Sequence, residues 1–173
     1  MIDAENRKVK KRILIISDSH RHSEYVKVAI DKSGPFDMLI HLGDIEEDPA
    51  KIREWAGCPC YFVRGNCDYD NKLQMCHIIN LPPHRIFAVH GHRYSIREDT
   101  LRLEYAAKEV GCDIALFGHT HVPYIFEAPD IKIVNPGSCA LPRQYDRKKT
   151  YVVLEQDEAG DVKFTFCNLD RAE

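Results

Sequence analysis

The segment RILIISDSH, residues 12–20, joins an uninterrupted apolar run to a polar end. A short apolar run rich in β-branched residues is typical of a strand that is covered on both faces. The next segment, residues 23–34, has apolar residues at helical spacing, and we expect Ser23 to cap this helix and Gly34 to end it. This part of the chain therefore predicts a buried strand followed by an amphipathic helix.

The rest of the first half repeats this pattern. Residues 36–44 and 60–66 predict two further strands, and between them Asp48 and Pro49 open a predicted helix. An alternation of strands and helices is typical of a mostly parallel sheet, because each helix carries the chain back to the edge where the next strand begins. We therefore expect a parallel sheet in this half.

The second half has a different pattern, in which strands follow one another with short turns. We expect two strands joined at Pro82 and Pro83, a helix over 96–111, a strand over 112–119, and two hairpins that turn at 129–130 and 159–160. This half therefore predicts antiparallel pairing, in contrast to the first.

Length and charge distribution indicate one domain. A chain of 173 residues can bury a substantial core by itself. Residues 1–11 are charged and aperiodic, so we expect a flexible N-terminal extension, followed by a single domain over 12–173.

Charge and cysteine content restrict the compartment and the partners. Seven cysteines are an odd number and no signal-peptide pattern precedes them, so we expect reduced thiols and a cytoplasmic location. No apolar run reaches the roughly 18 residues that a membrane-spanning helix needs, which predicts no membrane association. The net charge of -3 argues against stable nucleic-acid binding. A homo-oligomer stays open.

Polar side chains gather at the ends of five predicted strands. In open α/β sheets the loops at the carboxyl ends of the strands line the ligand crevice, so these loops would deliver their side chains to one place. The residues concerned are Asp18, His20, Gly43, Asp44, Gly65, Asn66, Cys67, Asp68, His90, Gly91, His92, Gly118, His119 and His121.

Carboxylates and imidazoles gathered in this way indicate a metal site. Without a cation, such a cluster suffers both desolvation and repulsion between carboxylates, and a divalent ion relieves both. The set exceeds the four ligands of one tetrahedral zinc and suits two ions that share a carboxylate. Oxygen and nitrogen donors without thiolates favour Mn, Fe or Zn. We therefore expect two divalent cations, with Mn²⁺ first and Fe, Zn or Ni as alternatives.

Six short motifs resemble those of the calcineurin-like metallophosphoesterases, and more closely those of the YfcE-like phosphodiesterase subfamily. They are DSH at 18–20, GD at 43–44, GNCD at 65–68, HGH at 90–92, GHTH at 118–121 and NPGS at 135–138. Each motif is weak by itself, but all six occur in the family's order. The resemblance implies an α/β fold, a four-layer α/β/β/α sandwich in which two mixed β-sheets are flanked by helices.

The resemblance also implies a dinuclear centre. The first ion would be held by Asp18, His20 and His121, the second by Asn66, His90 and His119, and both would share Asp44. The implied activity is hydrolysis of a P–O bond in a small phosphodiester, by in-line attack of a metal-bridging hydroxide. Each ligand histidine is expected to donate its other ring proton to a carbonyl or a carboxylate.

Four residues are candidates for catalysis, and one of them is also a predicted ligand. Asn66 would offset charge on the phosphoryl oxygens, Arg143, like Arg64, could clamp a phosphate, and His92 could protonate the leaving group. Larger family members carry histidine where this chain has Cys67, and a thiol is a poor proton donor. We therefore expect a preference for phosphodiesters or for esters with acidic leaving groups.

Two alternative functions stay open. One is a non-catalytic metal-binding scaffold of the same fold that acts through protein contacts, and the other is a phosphomonoesterase. The complete set of seven expected ligands favours catalysis over the scaffold.

Overall fold

The computed structural model describes residues 8–69 and 72–170, and within them three helices and ten strands. The helices are α1 (Ser23–Ser33), α2 (Ala50–Ala56) and α3 (Leu101–Glu109). The strands are β1 (Val9–Ile16), β2 (Met38–His41), β3 (Cys60–Phe62), β4 (Cys76–Leu81), β5 (His84–Val89), β6 (Ile114–Leu116), β7 (Pro123–Ala128), β8 (Ile131–Pro136), β9 (Thr150–Asp157) and β10 (Val162–Asn168).

The strands form two mixed five-stranded sheets. The first has the order β10-β9-β1-β2-β3, with β1, β2 and β3 parallel and the β9–β10 hairpin joined to β1 through an antiparallel pairing. The predicted parallel pairing of the first half is thus confirmed. The second sheet has the order β4-β5-β6-β8-β7.

The prediction that the second half is antiparallel is wrong for the centre of the second sheet. Strands β5, β6 and β8 are parallel to one another, and only the edge strands β4 and β7 pair antiparallel. The reason is that α3 returns the chain between β5 and β6, while β7 returns it between β6 and β8. The three hairpins were predicted correctly, at Pro82, at Pro129 and at Gly160.

The predicted four layers are confirmed by the way in which β1 distributes its side chains. Ile13 and Ile15 pack between the two sheets, whereas Leu14 and Ile16 pack with residues of α1 and α2. On the far side, α3 covers the second sheet through Leu103 and Ala107 among others. Strand β1 is therefore buried on both faces, as its apolar run predicts, and the two sheets are enclosed by helices.

Several boundaries differ from those predicted. Strand β1 begins at Val9 because Val9 and Lys11 pair with β9, so residues 9–11 do not belong to the extension expected over 1–11. The first part of that extension, 1–7, lies outside the described residues. Ser23 is the first residue of α1 and not its cap, a position that His22 holds without a side-chain hydrogen bond.

Helix α3 is also shorter than predicted, because it spans Leu101–Glu109 and not 96–111. Residues 96–100 precede it as turns, with Ile96 buried against Gly91, and Asp99 Oδ1 accepts a hydrogen bond from the N–H of Leu101. Gly34 ends α1 with φ 65°, as predicted.

The carboxyl ends of the parallel strands meet at one edge of the sandwich. The N–H of Asp18, after β1, donates to Gly43 O after β2, and the N–H of Gly118, after β6, donates to His90 O after β5. The loops that carry the predicted site therefore touch one another. Among the described helices, none has the length and apolar character to cross a membrane.

Candidate metal centre

The loops at this edge hold their polar residues in an unusual backbone conformation. Five predicted ligands have positive φ angles, namely Asp18 (56°), His20 (44°), Asp44 (53°), His119 (65°) and His121 (60°). For residues other than glycine this left-handed region costs of order 1 kcal/mol each, and such strain clusters at functional sites. The strain indicates that the loops are shaped to aim these side chains.

Two motif glycines allow the loops to approach closely. A Cβ atom on Gly65 would lie 2.0 Å from Asp44 Oδ1, and one on Gly118 would lie 2.0 Å from Ser17 Oγ and 2.7 Å from Asp18 Oδ2. Any larger residue at either position would displace a predicted ligand. These glycines therefore fix the spacing between the loops.

Asp18, His20 and His121 form one side of the site. His121 Nε2 lies 3.2 Å from Asp18 Oδ1 and 3.2 Å from His20 Nε2. Together with Asp44, these residues offer ligand atoms that all lie within 4.8 Å of one another. This is the spacing that a single cation requires.

Asn66, His90 and His119 form the other side, and Asp44 lies between the two. Asp44 Oδ2 is 3.7 Å from His20 Nε2 and 3.4 Å from His90 Nε2. His90 Nε2 is 3.1 Å from Asn66 Oδ1, and the His90 and His119 rings are 5.2 Å apart. The structure thus brings all seven predicted ligands together.

Three of the four predicted ligand histidines, all except His119, are oriented by hydrogen bonds from Nδ1 to an oxygen of the described residues. Nδ1 of His90 and of His121 donates to Leu42 O and Leu141 O, each at 2.7 Å, and His20 Nδ1 lies 2.5 Å from Glu46 Oε1. Because carbonyl and carboxylate oxygens only accept, each Nδ1 carries the proton. With the proton on Nδ1, Nε2 is the atom through which each ring can bind a cation at the centre.

These Nε2 atoms meet other acceptors, and a cation fits that arrangement. His121 Nε2 faces both Asp18 Oδ1 and His20 Nε2, and one proton can bridge only two of these three atoms. Asp18 Oδ1 is buried without a hydrogen-bond donor among the described residues. A divalent ion would satisfy all three acceptors at once, so the donor set fits a metal.

The charges at the centre are shifted toward the carboxylate forms. Burial acts to raise the pKa of Asp18, but His121 and His90 outweigh it and the pKa is lowered. Burial likewise opposes a lowered pKa at Asp44, where His90 and the N–H of Cys67 prevail. Burial lowers the pKa of His119 to about 4, so this imidazole is neutral at physiological pH. Ionised carboxylates and a neutral imidazole are the forms that bind cations.

Two residues that organise the site were not assigned a role from the sequence. Asp68 accepts hydrogen bonds at 2.7–2.8 Å from the backbone N–H groups of Asp44, Ile45, Glu46 and Gly65. Asp68 thereby joins the loops after β2 and β3. Its place in GNCD was a signal for this role, whereas no motif marked Glu46, the partner of His20.

The other predicted catalytic residues lie around the centre. Cys67 Sγ accepts a hydrogen bond from Asn66 Nδ2 at 3.2 Å, and the His92 ring lies 5.4 Å from that of His90. Arg143 is exposed at the mouth, where its backbone N–H donates to His121 O at 3.0 Å. Arg64 Nε donates to Asp68 O at 3.4 Å, which indicates a structural role.

The NPGS motif at 135–138 supports the loop that carries His119 and His121. Asn135 Oδ1 accepts a hydrogen bond from the N–H of Gly137, and its amide donates to Gly118 O and to Thr120 Oγ1. Asn135 and Gly137 therefore shape a turn beside the site.

Comparison with known proteins identifies the family of this chain. The model of the calcineurin-like phosphoesterase superfamily domain matches residues 12–159, which is most of the chain. The chain belongs to this superfamily. It is 33% identical over 154 residues to a probable metallophosphoesterase of Bacillus subtilis, YsnB, covering 88% of this chain and 89% of that protein.

Similarity extends to the phosphodiesterase subfamily that the motifs indicated. Over 171 residues the chain is 29% identical to the phosphodiesterase YfcE of Escherichia coli K12, covering 84% of this chain and 88% of the relative. The predicted family is therefore confirmed.

Solved structures of similar fold include both enzyme-like and other proteins. A predicted phosphoesterase from Streptococcus pneumoniae superimposes with a TM-score of 0.82 at 31% identity, covering 95% of this chain and 92% of that one. Vps29 from Entamoeba histolytica gives a TM-score of 0.73 at 21% identity, with 91% and 98% covered. The second likeness concerns the fold alone.

Proposed function

We propose that this protein is a phosphodiesterase that depends on two divalent cations. The observation that carries the proposal is the meeting of three acceptor atoms. Asp18 Oδ1 is buried without a hydrogen-bond donor among the described residues, and it lies beside the Nε2 atoms of His20 and His121, whose ring protons are engaged at Nδ1. Without a bound cation, these facing acceptor atoms would repel one another and destabilise the folded protein.

The ligands divide into two sets around a shared carboxylate. Asp18, His20 and His121 would hold one ion, and Asn66, His90 and His119 the other. Asp44 would serve both, since its Oδ2 atom lies 3.7 Å from His20 Nε2 and 3.4 Å from His90 Nε2. The mixture of oxygen and nitrogen donors is compatible with manganese, with iron, zinc and nickel as alternatives.

When bound, the cations would acidify a water for attack on phosphorus and offset charge on the phosphoryl oxygens. The side chains of the protein would position the substrate. The Asn66 amide lies at the exposed face of the centre, where it can donate to a phosphoryl oxygen. Arg143, exposed at the mouth, would pair its guanidinium with the phosphate.

Protonation of the leaving group is the weak part of this site. Burial raises the pKa of the Cys67 thiol to about 11, so Cys67 stays a neutral, poor donor. Burial also lowers the pKa of His92, which makes it a neutral imidazole and not an imidazolium. We therefore infer a preference for phosphodiesters or for esters with acidic leaving groups, which need little protonation as they depart.

The remaining expectations belong to the same proposal. We propose a small diester as substrate and a cytoplasmic location, which the seven free cysteines support. A scaffold role and phosphomonoesterase activity are the alternatives to this proposal, and an activity assay distinguishes them. The expected homo-oligomer is tested separately by a measurement of the mass in solution.

A metal-titrated activity panel tests the proposal. Protein stripped with chelator would be titrated with Mn²⁺ and assayed on bis(p-nitrophenyl) phosphate and on p-nitrophenyl phosphate. We expect saturable turnover that favours the diester. Asp44→Asn should lose on the order of 1,000-fold in kcat, because several kcal/mol of charge stabilisation depend on the shared ligand.

The control is Asp31→Asn, the same change at a carboxylate on the exposed face of α1. It should leave the turnover unchanged. A folded wild-type protein that binds Mn²⁺ without turnover would favour the scaffold, and faster turnover of the monoester would favour the phosphomonoesterase.

A further inference from the structure

A pocket of about 690 Å³ opens beside the metal centre. We call it the side pocket, and define it by six of its lining residues, Ile96, Arg97, Phe117, Val122, Tyr124 and Arg143. Its volume falls within the range of about 300–1,000 Å³ that small-molecule sites occupy. The pocket is therefore large enough for a ring system.

The side pocket adjoins the metal centre. A smaller cleft of about 270 Å³ is lined by His119 and His92 and shares Ile96 and Arg97 with the side pocket. Thr120, between the predicted ligands His119 and His121, also lines the side pocket. A group attached to a phosphate at the centre could thus extend into the pocket.

The wall of the side pocket is apolar and partly aromatic. The rings of Phe117 and Tyr124 lie 5.9 Å apart at 60°, and Ile96, which lines the same wall, is buried at 7% exposure. Val122 and Tyr124 are each 38% exposed, which leaves apolar surface free to contact a ligand. Such a wall favours a planar ring, because stacked or tilted aromatic contacts add to simple burial.

The wall is fixed relative to the predicted ligands. Tyr124 pairs with Asn135 across β7 and β8, and the Asn135 amide donates to Gly118 O at 2.8 Å and to Thr120 Oγ1 at 2.9 Å. The aromatic wall and the loop of His119 and His121 therefore share one hydrogen-bonded support.

The charges around the side pocket balance. Arg97 and Arg143 line it together with Glu98 and Asp99, so its formal charge is near zero. Asp99 is engaged with the N–H of Leu101 at the start of α3. A second phosphate on the ligand would meet two carboxylates as well as two arginines, so the balance favours a neutral group.

We propose that the side pocket binds a neutral aromatic ester group of the substrate, so that the preferred substrates are aryl- or nucleoside-type phosphodiesters. This inference rests on the proposed function, since the phosphate of the same molecule would lie at the metal centre. It assigns Val122 and Tyr124 as residues that determine specificity.

Calorimetric titration of the manganese-loaded protein with phenylphosphonate and methylphosphonate tests the inference. These probes share charge and headgroup, differ in the ring, and have a P–C bond that is not a substrate for P–O hydrolysis. We expect phenylphosphonate to bind about tenfold more tightly, because burial of the ring exceeds the cost of ordering it.

Substitutions inside and outside the side pocket test whether the pocket causes this difference in affinity. Val122→Trp should fill the pocket and reduce the advantage of phenylphosphonate to less than about twofold, while methylphosphonate binds as before. Tyr124→Phe keeps the ring and should keep the advantage. The matched control is Ile125→Trp on the same strand as Tyr124, at a half-exposed position outside the pocket lining, which should also keep it.

The outcomes separate this inference from the proposed function. Equal affinity of the two phosphonates for the wild-type protein would overturn the side pocket as a ring site while leaving the metal centre intact. The side pocket is likewise overturned if Ile125→Trp lowers the advantage as much as Val122→Trp. Failure of both phosphonates and of inorganic phosphate to bind would overturn the proposed function, and this inference with it.

Discussion

The two sides of the metal centre differ in how firmly their side chains are held. On the inner side, formed by Asp18, His20 and His121, Asp18 is 0% and His121 2% exposed, and only His20 is partly exposed. On the outer side, formed by Asn66, His90 and His119, only His90 is equally buried, while Asn66 is exposed and His119 half-buried. This difference is compatible with the proposed function, in which the inner side would hold a cation and the outer side would also admit substrate.

The hydrogen bonds of the two sides show the same difference. His20 and His121 each have an acceptor for Nδ1, and Asp18 Oδ2 accepts from Ser17 Oγ and from the N–H of His119. On the outer side, Asn66 Nδ2 has only the weak acceptor Cys67 Sγ among the described residues. An amide so placed can exchange that partner for a phosphoryl oxygen at little cost.

The largest expected effect tests the comparison directly. Asp18→Asn should weaken metal binding by on the order of 1,000-fold, because a buried ligand loses the charge that the cation needs. His119→Asn should weaken metal binding by only about 100-fold, because water can replace a half-exposed imidazole as a ligand. Calorimetric Mn²⁺ titration of both variants provides the measurement, and equal losses would remove the distinction between the sides.

A second expected effect is a pH dependence of the free energy of unfolding, caused by a buried histidine at the end of β2. His41 is fully buried, and burial lowers its pKa to about 4 from the usual 6.5. Between these values the unfolded chain binds a proton that the folded protein does not, so stability falls as the pH decreases from 6.5 to 4. The loss should amount to about 3 kcal/mol at pH 4 and vanish above pH 7.

Urea unfolding of the metal-free protein at several pH values measures this effect. Because other groups also titrate, the curve of His41→Gln would be subtracted from that of the wild type. The Gln side chain keeps an acceptor for the N–H of Gly43 but does not titrate in this range. A difference that is independent of pH would contradict the expectation.

The smallest expected effect concerns the proton donor for the leaving group on the outer side. Cys67→His should raise the ratio of monoesterase to diesterase turnover several-fold, because an imidazole next to Asn66 can protonate a poor leaving group. Cys67→Ser, which has no such acid, is the matched control. Paired assays with bis(p-nitrophenyl) phosphate and p-nitrophenyl phosphate measure the ratio, and an unchanged ratio in Cys67→His would argue against a missing acid.

The fold was predictable where local pattern and tertiary pairing agree. The unbroken apolar run of β1 predicts a strand buried on both faces, and the second sheet covers one face and the helices α1 and α2 the other. The parallel centre of the second sheet was missed because β5 and β8 are brought beside β6 only by long-range pairing. A strand's sequence records burial, but not the direction of its neighbours.

The sequence by itself determined the kinds of ligand, since the residue types after each strand and their order in six motifs carry that information. Tertiary structure alone decided which atoms face one another, as the 3.2 Å approach of His121 to Asp18 and His20 spans about a hundred residues of chain. It also decided the contacts of Asp68 and of Glu46 and the position of the side pocket. Contacts of this kind depend on where the loops meet in space, and local spacing does not encode that distance.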